Sequence, residues 1–592
     1  MVRIAIVNKD KCHPDECAEL CLKKCPVNKM GEECITIQNG KCHIVEEMCV
    51  GCGICPRICP FGALEIINLP EELKSEPIHR YGENQFALYN LPIPIFGKVV
   101  GLLGRNGIGK STAMQVLAGV IKPNFGNYEK ESTYRDLINH FKGTEAQAYF
   151  EKLEKGEITI SFKLQQVELI PKNFSGKVSQ LLENVNEHPA ERYQEILTIL
   201  ELTNLLERDI KQISGGELQR VAIAAAVLKK ANVYCFDEPT SYLDIKQRLK
   251  ISKFIRSLAD ENTAVLIIEH DLIILDYLTD FVHLFYGKEG AYGVVSSVKA
   301  TKNGINTYLS GYLREENVRF RDREIKFDGS ANEEALSSLQ LFSWLDFSKK
   351  LGTFNLEVNE GTIFRKDVIG VLGENGIGKT SFIKELVKAS RNEEDAIAEI
   401  ELAETIKELR VAYKPQYIES SDEIVRIYLK DALKYDIQLI NPLHVEHLLD
   451  QQLNQLSGGE LQRVVIAKTL AEDADIYLLD EPSAYLDVEQ RLSLSKVIRN
   501  MMEVKRGSAL IVDHDLLFID YISKRLLIFE GQPAINGVVN GPFSMGEGMF
   551  SFLEDLNITF RRDEANNRPR VNKAYSQKDK EQKASGNLYY SG

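Results

Sequence analysis

Two glycine-rich stretches of the chain have the residue types that bind phosphate groups. Both fit the pattern Gly-x4-Gly-Lys-Ser/Thr. In such a loop the backbone N–H groups wrap a phosphate at the start of a helix, the lysine reaches the terminal phosphates, and the hydroxyl binds Mg²⁺. ATP is therefore the expected ligand of each loop. The predicted binding residues are Gly104, Asn106, Gly107, Gly109, Lys110, Ser111 and Thr112 in the first loop and Gly373, Asn375, Gly376, Gly378, Lys379, Thr380 and Ser381 in the second.

Side chains suited to hydrolysis follow both loops in the same order. In the first half an apolar run ends in Asp237 and Glu238, and a second apolar run delivers His270. We expect the aspartate to hold Mg²⁺ through its water shell, the glutamate to orient or deprotonate the attacking water, and the histidine to sense the γ-phosphate. The predicted catalytic residues are Gln165, Glu238, His270, Gln416, Glu481 and His514, and the predicted Mg²⁺ ligands are Ser111, Asp237, Thr380 and Asp480.

The heptapeptide Ser-Gly-Gly-Glu-Leu-Gln-Arg also occurs twice, beginning at Ser214 and at Ser457. Each copy opens a helix with free N–H groups, which form an anion site that has no phosphate of its own. With the loops and acidic pairs, this order indicates two ATP-binding cassettes. We predict a head-to-tail arrangement, in which Ser457 completes the ATP site of Lys110 and Ser214 completes that of Lys379. The predicted contacts across the interface are Ser214, Gly215, Gly216, Asp244, Ser457, Gly458, Gly459 and Asp487.

Ten of the eleven cysteines lie between Cys12 and Cys59, and eight of these ten form two quartets. The second quartet fits the ferredoxin pattern C-x2-C-x2-C-x3-C-P, and the first has looser spacing before its own Cys-Pro. Two [4Fe–4S] clusters are predicted, with a pair of zinc sites as the alternative. Cys34 and Cys42 fit neither quartet and are interpreted as ordinary thiols. Because the fourth cysteine crosses over in two-cluster ferredoxins, the predicted ligand sets are Cys12, Cys17, Cys21 and Cys59 for one cluster and Cys25, Cys49, Cys52 and Cys55 for the other.

Length and composition indicate a large globular protein. Its 592 residues exceed the size of a single hydrophobic core, and its net charge of −14 argues against nonspecific coating of nucleic acid. No signal-like start and no uncharged apolar run of about 18 residues appears, so we expect a cytoplasmic protein. The predicted fold class is α/β, with a ferredoxin-like iron–sulfur domain at 1–75, two P-loop ABC nucleotide-binding domains at 76–312 and 331–540, a hinge at 313–330, and a second hinge and tail at 541–592.

Two further segments leave alternatives open. Lys110 to Gln165 spans 55 positions, whereas Lys379 to Gln416 spans 37. The extra residues in the first half, at about 128–156, predict a helix-loop-helix that docks a partner, or a surface hairpin without one. Near the C-terminus, a basic group formed by Arg568, Arg570 and Lys573 could contact RNA phosphates or clamp acidic faces of the two cassettes.

Taken together, these features resemble the ribosome-recycling ABC ATPase family, also called the RNase L inhibitor family or ABC subfamily E. The resemblance rests on the cysteine quartets, the twin signatures, the run 480–487 and the run 568–573. It implies an ATPase that splits terminated or stalled ribosomes into subunits together with release factor or its surveillance relative. It also implies that the protein remains on the small subunit into initiation. There it would bind ribosomal RNA, ribosomal proteins and initiation factors.

The same resemblance assigns roles to the parts of the chain. The iron–sulfur domain would push against the factor and the small subunit, the insertion would contact ribosomal RNA, and 313–330 and 541–592 would form the hinges. Tyr81 and Phe86 would flank the adenine of the first site. The cassettes would pair within one monomeric chain that binds no membrane.

Three positions depart from the family pattern: Leu164 replaces a proline, Asp513 stands opposite Glu269, and Leu351 occupies the place of an aromatic residue. They put the equivalence of the two sites in question. Other hypotheses are a transporter motor that serves a separate membrane chain, a DNA-repair ATPase of the cassette class, and an electron carrier. The repair hypothesis requires long heptad-patterned insertions, which the sequence does not show.

Overall fold

The computed structural model of the protein describes residues 2–7, 11–38, 40–45, 48–69, 76–82, 85–127, 132–321, 324–327, 339–390, 400–402, 409–418, 421–573 and 575–589. Several predicted features lie partly outside these ranges: the start of the insertion at 128–131, hinge residues 322–323 and 328–330, and the domain limits at 75 and 331. Within the described ranges, no helix combines the length and apolar character needed to cross a lipid bilayer.

The N-terminal domain wraps short helices around the cysteines. Its outer strands pair antiparallel, with Ala5 opposite Ile66, and a second hairpin pairs Ile35 with Ile44. Buried cysteines and aliphatic side chains form its core, so the thiols replace much of the apolar packing that a larger domain would use. The strands are Val2–Val7, Ile35–Gln38, Lys41–Ile44 and Leu64–Leu69, and the helices are Pro14–Cys17, Leu20–Lys24, Pro26–Lys29 and Ile54–Ile58.

The first cassette is built on a mainly parallel sheet whose central strands are fully buried. Strand Val99–Gly104 lies in the middle and runs directly into the first phosphate loop. In order across the sheet the strands are His79–Arg80, Ala87–Tyr89, Tyr292–Val295, Phe281–Lys288, Val99–Gly104, Ala264–Ile268, Val233–Asp237 and Ile160–Lys163, with Lys299–Ala300 beside Phe281–Lys288. The helices are Lys110–Leu117, Tyr134–His140, Glu145–Glu154, Ile170–Asn173, Val178–Val185, Ala190–Ile199, Gly215–Val227, Ile245–Ser257, Leu272–Leu278 and Thr301–Ser310.

The second cassette repeats this architecture. Its strand Val368–Leu372 holds the same central place and leads into the second loop. In order across the sheet the strands are Phe347–Leu351, Phe354–Val358, Asn536–Ser544, Arg525–Gln532, Val368–Leu372, Ser508–Val512, Ile476–Asp480 and Val411–Lys414, and a small sheet joins Gly361–Phe364, Gln340–Trp344 and Ile400–Leu402. The helices are Lys379–Ser390, Val425–Tyr428, Gly458–Ala471, Val488–Lys505, Leu516–Ile522 and Met545–Asp555. The predicted fold class, a ferredoxin-like domain followed by two head-to-tail cassettes, is confirmed.

The described part of the insertion forms two helices, Tyr134–His140 and Glu145–Glu154. Their apolar side chains pack onto the cassette: Phe150 is fully buried, and the Tyr149 hydroxyl donates to the Leu117 carbonyl at 3.2 Å. The hairpin of helices is therefore anchored along one side, which leaves its charged side chains facing outward.

The segments at 313–330 and 541–592 each contain a short antiparallel hairpin that follows a helix. The first pairs Tyr312–Leu313 with Val318–Arg319, and the second pairs Phe560–Arg562 with Pro569–Val571. Within the described part of the tail the last helix is Gln577–Ser585, and Tyr589 then forms a bridge with Phe560. Two predicted domain limits are wrong. The limit at 312/313 divides strand Tyr312–Leu313. The limit at 540/541 divides strand Asn536–Ser544, which pairs with Arg525–Gln532 through residues on both sides of that limit.

The C-terminal hairpin holds both cassettes through arginines. Arg570 donates to both carboxylate oxygens of Asp276 in the first cassette at 2.6 and 2.9 Å, and the fully buried Arg568 donates to the same carboxylate at 3.2 Å. Arg562 binds Asp520 of the second cassette at 2.8 and 3.0 Å. For Arg568 and Arg570 the structure therefore supports the clamp interpretation rather than RNA contact.

The first hinge makes a matching contact with the second cassette. Arg321 donates to Glu489 of helix Val488–Lys505 at 2.5 Å, and its guanidinium lies 4.8 Å from the ring centre of Tyr308. A continuous hydrophobic core then runs from the first cassette through Phe327 into the second. The two cassettes thus share apolar packing and crossed ion pairs at the hinge.

Substitution of Asp276 by Asn tests the clamp. It removes the carboxylate that pairs with the fully buried Arg568 and leaves Arg570 with its second ion pair, to Asp563 at 3.1 Å. Breaking one partner of a buried ion pair costs about 3–5 kcal/mol. We expect a clearly lower urea midpoint for the protein.

The control is Glu154→Gln in the exposed Arg135–Glu154 pair, which should cost at most about 1 kcal/mol. Equal midpoints for the two variants would contradict the clamp.

Candidate active sites at the cassette interface

Each loop lysine begins a helix and turns back onto its own loop. Lys110 Nζ donates to the Gly104 and Arg105 carbonyls at 2.8 and 2.6 Å. Lys379 Nζ makes the matching bonds at 2.6 and 2.8 Å. Burial lowers the pKa of both lysines to about 8, although nearby carboxylates oppose the shift. A phosphate placed at the helix start would supply the negative charge that keeps these buried ammonium groups protonated.

An aromatic ring packs beneath each loop. Gly109 has φ +86°, and a Cβ there would lie 2.6 Å from the Phe86 ring; Gly378 has φ +96°, and its Cβ would lie 2.9 Å from Phe354. Glycine is thus required both by the left-handed backbone and by the ring. Leu351 occupies the place of Tyr81 in the second cassette. Phe354 instead holds the place that Phe86 holds in the first. Its signal is the repeated Phe-x-Leu, which occurs 24 positions before Lys110 and 25 before Lys379.

The carboxyl ends of adjacent strands bring the predicted catalytic side chains together. In the first cassette Gln165 Nε2 donates to Glu238 Oε1 at 2.8 Å, and His270 Nε2 lies 3.4 Å from the same oxygen. In the second cassette Gln416 Nε2 donates to Glu481 Oε1 at 2.7 Å, and His514 Nε2 lies 3.8 Å from the same oxygen. His270 and its counterpart His514 are both buried.

Both predicted catalytic glutamates have left-handed backbones, with φ +45° at Glu238 and +48° at Glu481. This conformation is strained for a residue with a side chain, and it persists only where surrounding bonds fix it. Gln219 and Gln462 of the repeated heptapeptide provide such bonds, each donating to the glutamate's carbonyl at 2.7 Å. No role was predicted from the sequence for these two glutamines.

The Glu269 and Asp513 positions are equivalent in their contacts. Glu269 accepts from the N–H and hydroxyl of Thr240 at 3.1 and 2.5 Å. Asp513 accepts from the N–H and hydroxyl of Ser483 at 3.0 and 2.7 Å. The shorter aspartate therefore preserves the local structure, so this substitution does not make the two sites different in their contacts here.

The two sites differ at the residue that follows Thr240 in the first cassette and Ser483 in the second. Ser241 donates to Glu238 at 3.1 Å, whereas the second cassette has Ala484 at this position. Burial raises the pKa of Glu238, but bonds and charges from His270, Lys110 and Ser241 bring it down to about 2. Burial, with the charge of Asp513 next, raises the pKa of Glu481 to about 7.

The two cassettes meet so that one cavity contains parts of both. A cavity of about 920 Å³ is lined by the first phosphate loop and catalytic residues and by the second cassette's signature. Lys110, Glu238 and His270 face Ser457 across it, and Tyr81 and Phe86 line one end. The remaining predicted residues on this cavity are Asn106, Gly107, Gly109, Ser111, Thr112, Gln165, Asp237, Gly458 and Gly459.

Hydrogen bonds join each phosphate loop to the facing cassette. Asn106 N–H donates to the Asp487 carboxylate at 3.2 Å, and Asn375 N–H donates to the Asp244 carboxylate at 3.0 Å. The asparagine side chains donate to the carbonyls of Tyr485 and Tyr242, at 3.3 and 3.4 Å respectively. The head-to-tail contact is thus made twice with the same residue types.

Signature serines begin the helices that point into these sites. Ser214 and Ser457 each cap a helix by accepting from the N–H of the glutamate three residues later. Gly216 and Gly459 leave room for a loop of their own cassette, since a Cβ there would lie 3.0 Å from the Tyr242 carbonyl or 2.9 Å from the Tyr485 carbonyl. Ser214, Gly215 and Gly216 hold the same helix start in the first cassette that their counterparts hold in the second.

Hydroxyl and carboxylate groups next to the loop lysines fit a magnesium site. Thr380 Oγ1 donates to Asp480 Oδ2 at 3.0 Å. In the first cassette a hydrogen bond from Ser111 lowers the pKa of Asp237, although burial dominates and raises it to about 6. Hard oxygen donors beside a triphosphate loop are the ligands that Mg²⁺ prefers.

The cysteine thiols of the N-terminal domain fall into neighbouring groups. Burial raises the pKa of Cys12, and the nearby Cys21 and Cys59 thiols raise it further. Burial raises the pKa of Cys55 to about 12, with Cys49 and Cys52 as the next contributors. The neighbours named for Cys12 and for Cys55 each belong to the predicted ligand set of that cysteine.

Cys34 and Cys42, which fit neither quartet, also lie beside predicted cluster ligands. Cys34, whose pKa burial raises to about 12, lies beside both Cys25 and Cys49, and Cys42 lies 3.8 Å from Cys21. Within the described residues, no group of three histidine, cysteine or acidic side chains is arranged to hold a single metal ion. The thiolate donors and their Cys-Pro ends fit iron–sulfur ligation.

Comparison with known proteins agrees with this architecture. Models of three families match the chain: the ABC transporter family at residues 95–241 and 355–484, the possible Fer4-like domain in RNase L inhibitor at 2–33, and the 4Fe-4S binding domain at 43–65. The fold and the paired sites thus define an ABC-type ATPase with an iron–sulfur domain.

Relatives match along the whole chain. An uncharacterized ABC transporter ATP-binding protein of Methanocaldococcus jannaschii is 48% identical over 100% of this chain and 98% of its own length. ABC transporter E family member 1 of Arabidopsis thaliana is 45% identical over 100% and 99%. Translation initiation factor RLI1 of Saccharomyces cerevisiae is 42% identical over 99% and 98%. The chain belongs to the RNase L inhibitor family, ABC subfamily E.

Solved structures give the same result. The chain matches one described as a model of ribosome-bound archaeal Pelota and ABCE1 with a TM-score of 0.91 and 49% identity, covering 100% of this chain and 99% of that one. It matches the complex of archaeal ribosomal stalk protein aP1 and archaeal ribosome recycling factor aABCE1 with a TM-score of 0.80 and 49% identity, over 87% and 99%.

Substitution of Ser457 by Arg tests the composite site. The long cation would occupy the space between Ser457 and the first loop, so closure should fail while Lys110 still binds ATP. We expect ATP affinity within about threefold of the wild type and turnover lowered at least about tenfold, a loss of about 1.4 kcal/mol in transition-state stabilisation.

Ser576→Arg is the control, because Ser576 caps a helix in the tail in the same way. Wild-type turnover in the Ser457 variant, measured by phosphate release, would refute the shared site.

Proposed function

We propose that this protein is an ATP-driven ribosome recycling factor, which splits terminated or stalled ribosomes into subunits and stays on the small subunit into initiation. The observation that carries this proposal is the likeness to a ribosome-bound structure along the entire chain. The two interfacial sites supply the mechanical element that splitting requires. The ferredoxin-like domain and the insertion supply surfaces that a transporter motor would not need.

ATP binding should pull the cassettes together. The loop of each cassette would hold the phosphates through its N–H groups and lysine, and the facing signature serine would contact the terminal phosphate. Each bound ATP therefore joins two cassettes, and the Asn106–Asp487 and Asn375–Asp244 bonds align them. Closure brings the catalytic glutamate to the water that attacks the γ-phosphate.

Hydrolysis should then release the contact. Glu238 and Glu481 orient and deprotonate water, and His270 and His514 contact the γ-phosphate. Gln165 and Gln416 hold the glutamates through the bonds seen at 2.8 and 2.7 Å. Mg²⁺, held through Ser111, Asp237, Thr380 and Asp480, would neutralise charge on the phosphates. Loss of the terminal phosphate removes the link to the signature serine, and the halves separate.

The N-terminal domain is proposed to hold two [4Fe–4S] clusters with crossed ligand sets. Cys12, Cys17, Cys21 and Cys59 would bind one cluster, and Cys25, Cys49, Cys52 and Cys55 the other. Their chemistry here would be structural, making a rigid body from a domain too small for a large apolar core. Such a body can transmit force from the cassettes to the bound factor and the small subunit.

The partners follow from the same family assignment. We propose release factor or its surveillance relative at the iron–sulfur domain, ribosomal RNA at the insertion near 128–156, and initiation factors on the small-subunit complex. The site of action would be the cytoplasm, with one chain supplying both cassettes. Tyr81 and Phe86 are proposed to flank the adenine of the first site, and Phe354 to serve the second.

A sucrose gradient tests the proposal. Ribosomes are incubated with this protein, a release factor and either ATP or a nonhydrolysable analogue, and the subunit and whole-ribosome peaks are compared. We expect free subunits with ATP. Intact ribosomes in every lane, with the ATPase active, would overturn the recycling function.

Glu238→Gln and Glu481→Gln test the catalytic assignment. Glutamine keeps the size and the bond to Gln165 or Gln416 but cannot accept a proton, so each variant should trap ATP at its site. We expect turnover of the double variant to fall by about 10²–10⁴.

An exposed acid, Glu207→Gln, provides the control. Normal phosphate release by the double variant would show that these glutamates are not the bases.

A further inference from the structure

The second cassette has a cavity at the end of its sheet opposite the ATP sites. It encloses about 250 Å³ and lies where strand Val368–Leu372 begins, beside the C-terminal half of helix Val488–Lys505. The phosphate loop follows the other end of the same strand. The cavity is therefore separate from the catalytic machinery.

Cations dominate the lining of this cavity. Among the residues that the structure describes, four basic side chains line it, against a single carboxylate, Glu503, which pairs with Lys366. Just outside the lining, Asp367 is paired with Arg525 at 3.1 Å, and Lys524 also lowers the pKa of that carboxyl, although burial dominates and raises it. Positive charge thus remains in excess. The basic lining residues are Lys366, Lys496, Arg499 and Lys524.

Two features indicate that the cations are fixed in place. Lys524 is only 7% exposed, so the surrounding residues restrict its ammonium group. The Arg499 guanidinium lies 5.0 Å from the ring centre of Tyr521, which orients its planar donor face. Such a guanidinium matches the geometry of two phosphoryl oxygens.

The first cassette provides an internal comparison. Arg256 lies twelve positions after Asp244, as Arg499 lies twelve after Asp487. In the first cassette Asp280 pairs with Arg256 at 2.5 Å. The corresponding position in the second, ten residues after its catalytic histidine, is Lys524.

This single change inverts the charge beside the arginine. The first cassette neutralises its arginine internally, whereas the second places a buried lysine where the neutralising carboxylate would be. The repeat therefore shows that the fold does not require a cation at this position. An external anion would complete the second cassette's arrangement.

We propose that the cavity lined by Lys366, Lys496, Arg499 and Lys524 binds phosphoryl groups of a ligand other than the hydrolysed ATP. The ligand would be either a free polyphosphate or the phosphate backbone of RNA. Both present clustered, hydrogen-bond-accepting oxygens of the kind that arginine and lysine recognise. The proposal is independent of the recycling function, since it concerns a surface remote from the catalytic residues.

The test uses the full-length protein with its ATP sites saturated by a nonhydrolysable ATP analogue. Inorganic tripolyphosphate and a short RNA duplex are titrated separately, by calorimetry and fluorescence anisotropy. The variant is Lys524→Asp, which installs the first-cassette arrangement and allows an Arg499–Asp ion pair like Arg256–Asp280. We expect affinity for the bound probe to fall about tenfold, the effect of one lost charge-assisted hydrogen bond.

Salt dependence adds a second readout for RNA. Loss of one phosphate contact should reduce the slope of log affinity against log salt by about 1. Lys430→Asp, an exposed charge reversal elsewhere on the same cassette, is the matched control and should change neither value. Unchanged ATP turnover verifies that the variants are folded, and Lys496→Glu at the exposed rim replaces Lys524→Asp if that variant does not fold.

The outcomes separate the two sources. Lys524-dependent binding of tripolyphosphate alone identifies a free polyphosphate site, and Lys524-dependent binding of RNA identifies a backbone site. Binding of neither probe, or binding equally strong in Lys524→Asp and the wild type, overturns the proposal.

Discussion

One carboxylate at each interface links the start of a helix to the facing phosphate loop. Asp487 accepts from Gln490 N–H with one oxygen at 3.0 Å and from Asn106 N–H with the other at 3.2 Å. Asp244 divides its oxygens in the same way, between its own helix and the second loop. Because helix capping fixes the carboxylate, its second oxygen is presented to the partner at no further cost in ordering. The local structure of one cassette thus determines the geometry of the other's ATP site.

This symmetric frame holds two chemically different sites. The backbone strain, the glutamine contacts and the support from Gln219 and Gln462 are repeated closely. The histidine lies nearer to its glutamate in the first site, at 3.4 Å against 3.8 Å, and the hydroxyl of Ser241 has no counterpart at Ala484. Burial raises the pKa of both glutamates, but His270, followed by Lys110 and Ser241, brings that of Glu238 down to about 2, whereas Asp513 helps to raise that of Glu481 to about 7. Two cassettes with the same motifs can thus hold their predicted catalytic glutamates in different protonation environments.

Much of the fold and most of the site follow from the sequence, because the motifs lie at strand ends whose spacing fixes the geometry. Lys110 and Glu238 come together because strands Val99–Gly104 and Val233–Asp237, which lie on either side of Ala264–Ile268, end at the same edge of a parallel sheet. The sequence signal for Phe354 lies in the internal repeat, where its Phe-x-Leu matches that of Phe86, and not at Leu351, which matches Tyr81. The fate of Arg568 and Arg570 could not be predicted, because their partner Asp276 lies nearly 300 residues earlier in the chain. Charge pairing over such a separation is set by tertiary packing and leaves no periodicity.

The C-terminal hairpin has a geometric consequence for any motion of the molecule. One strand of the hairpin binds Asp520 and the other binds Asp276, the corresponding acids of the two cassettes. Paired strands move as a unit, so these two points keep a nearly constant separation. The cassettes must then rotate about this fixed end rather than translate apart, and displacement grows in proportion to distance from it. A small angular change at the hairpin therefore becomes a large linear movement at the far rim, as at the tip of a lever.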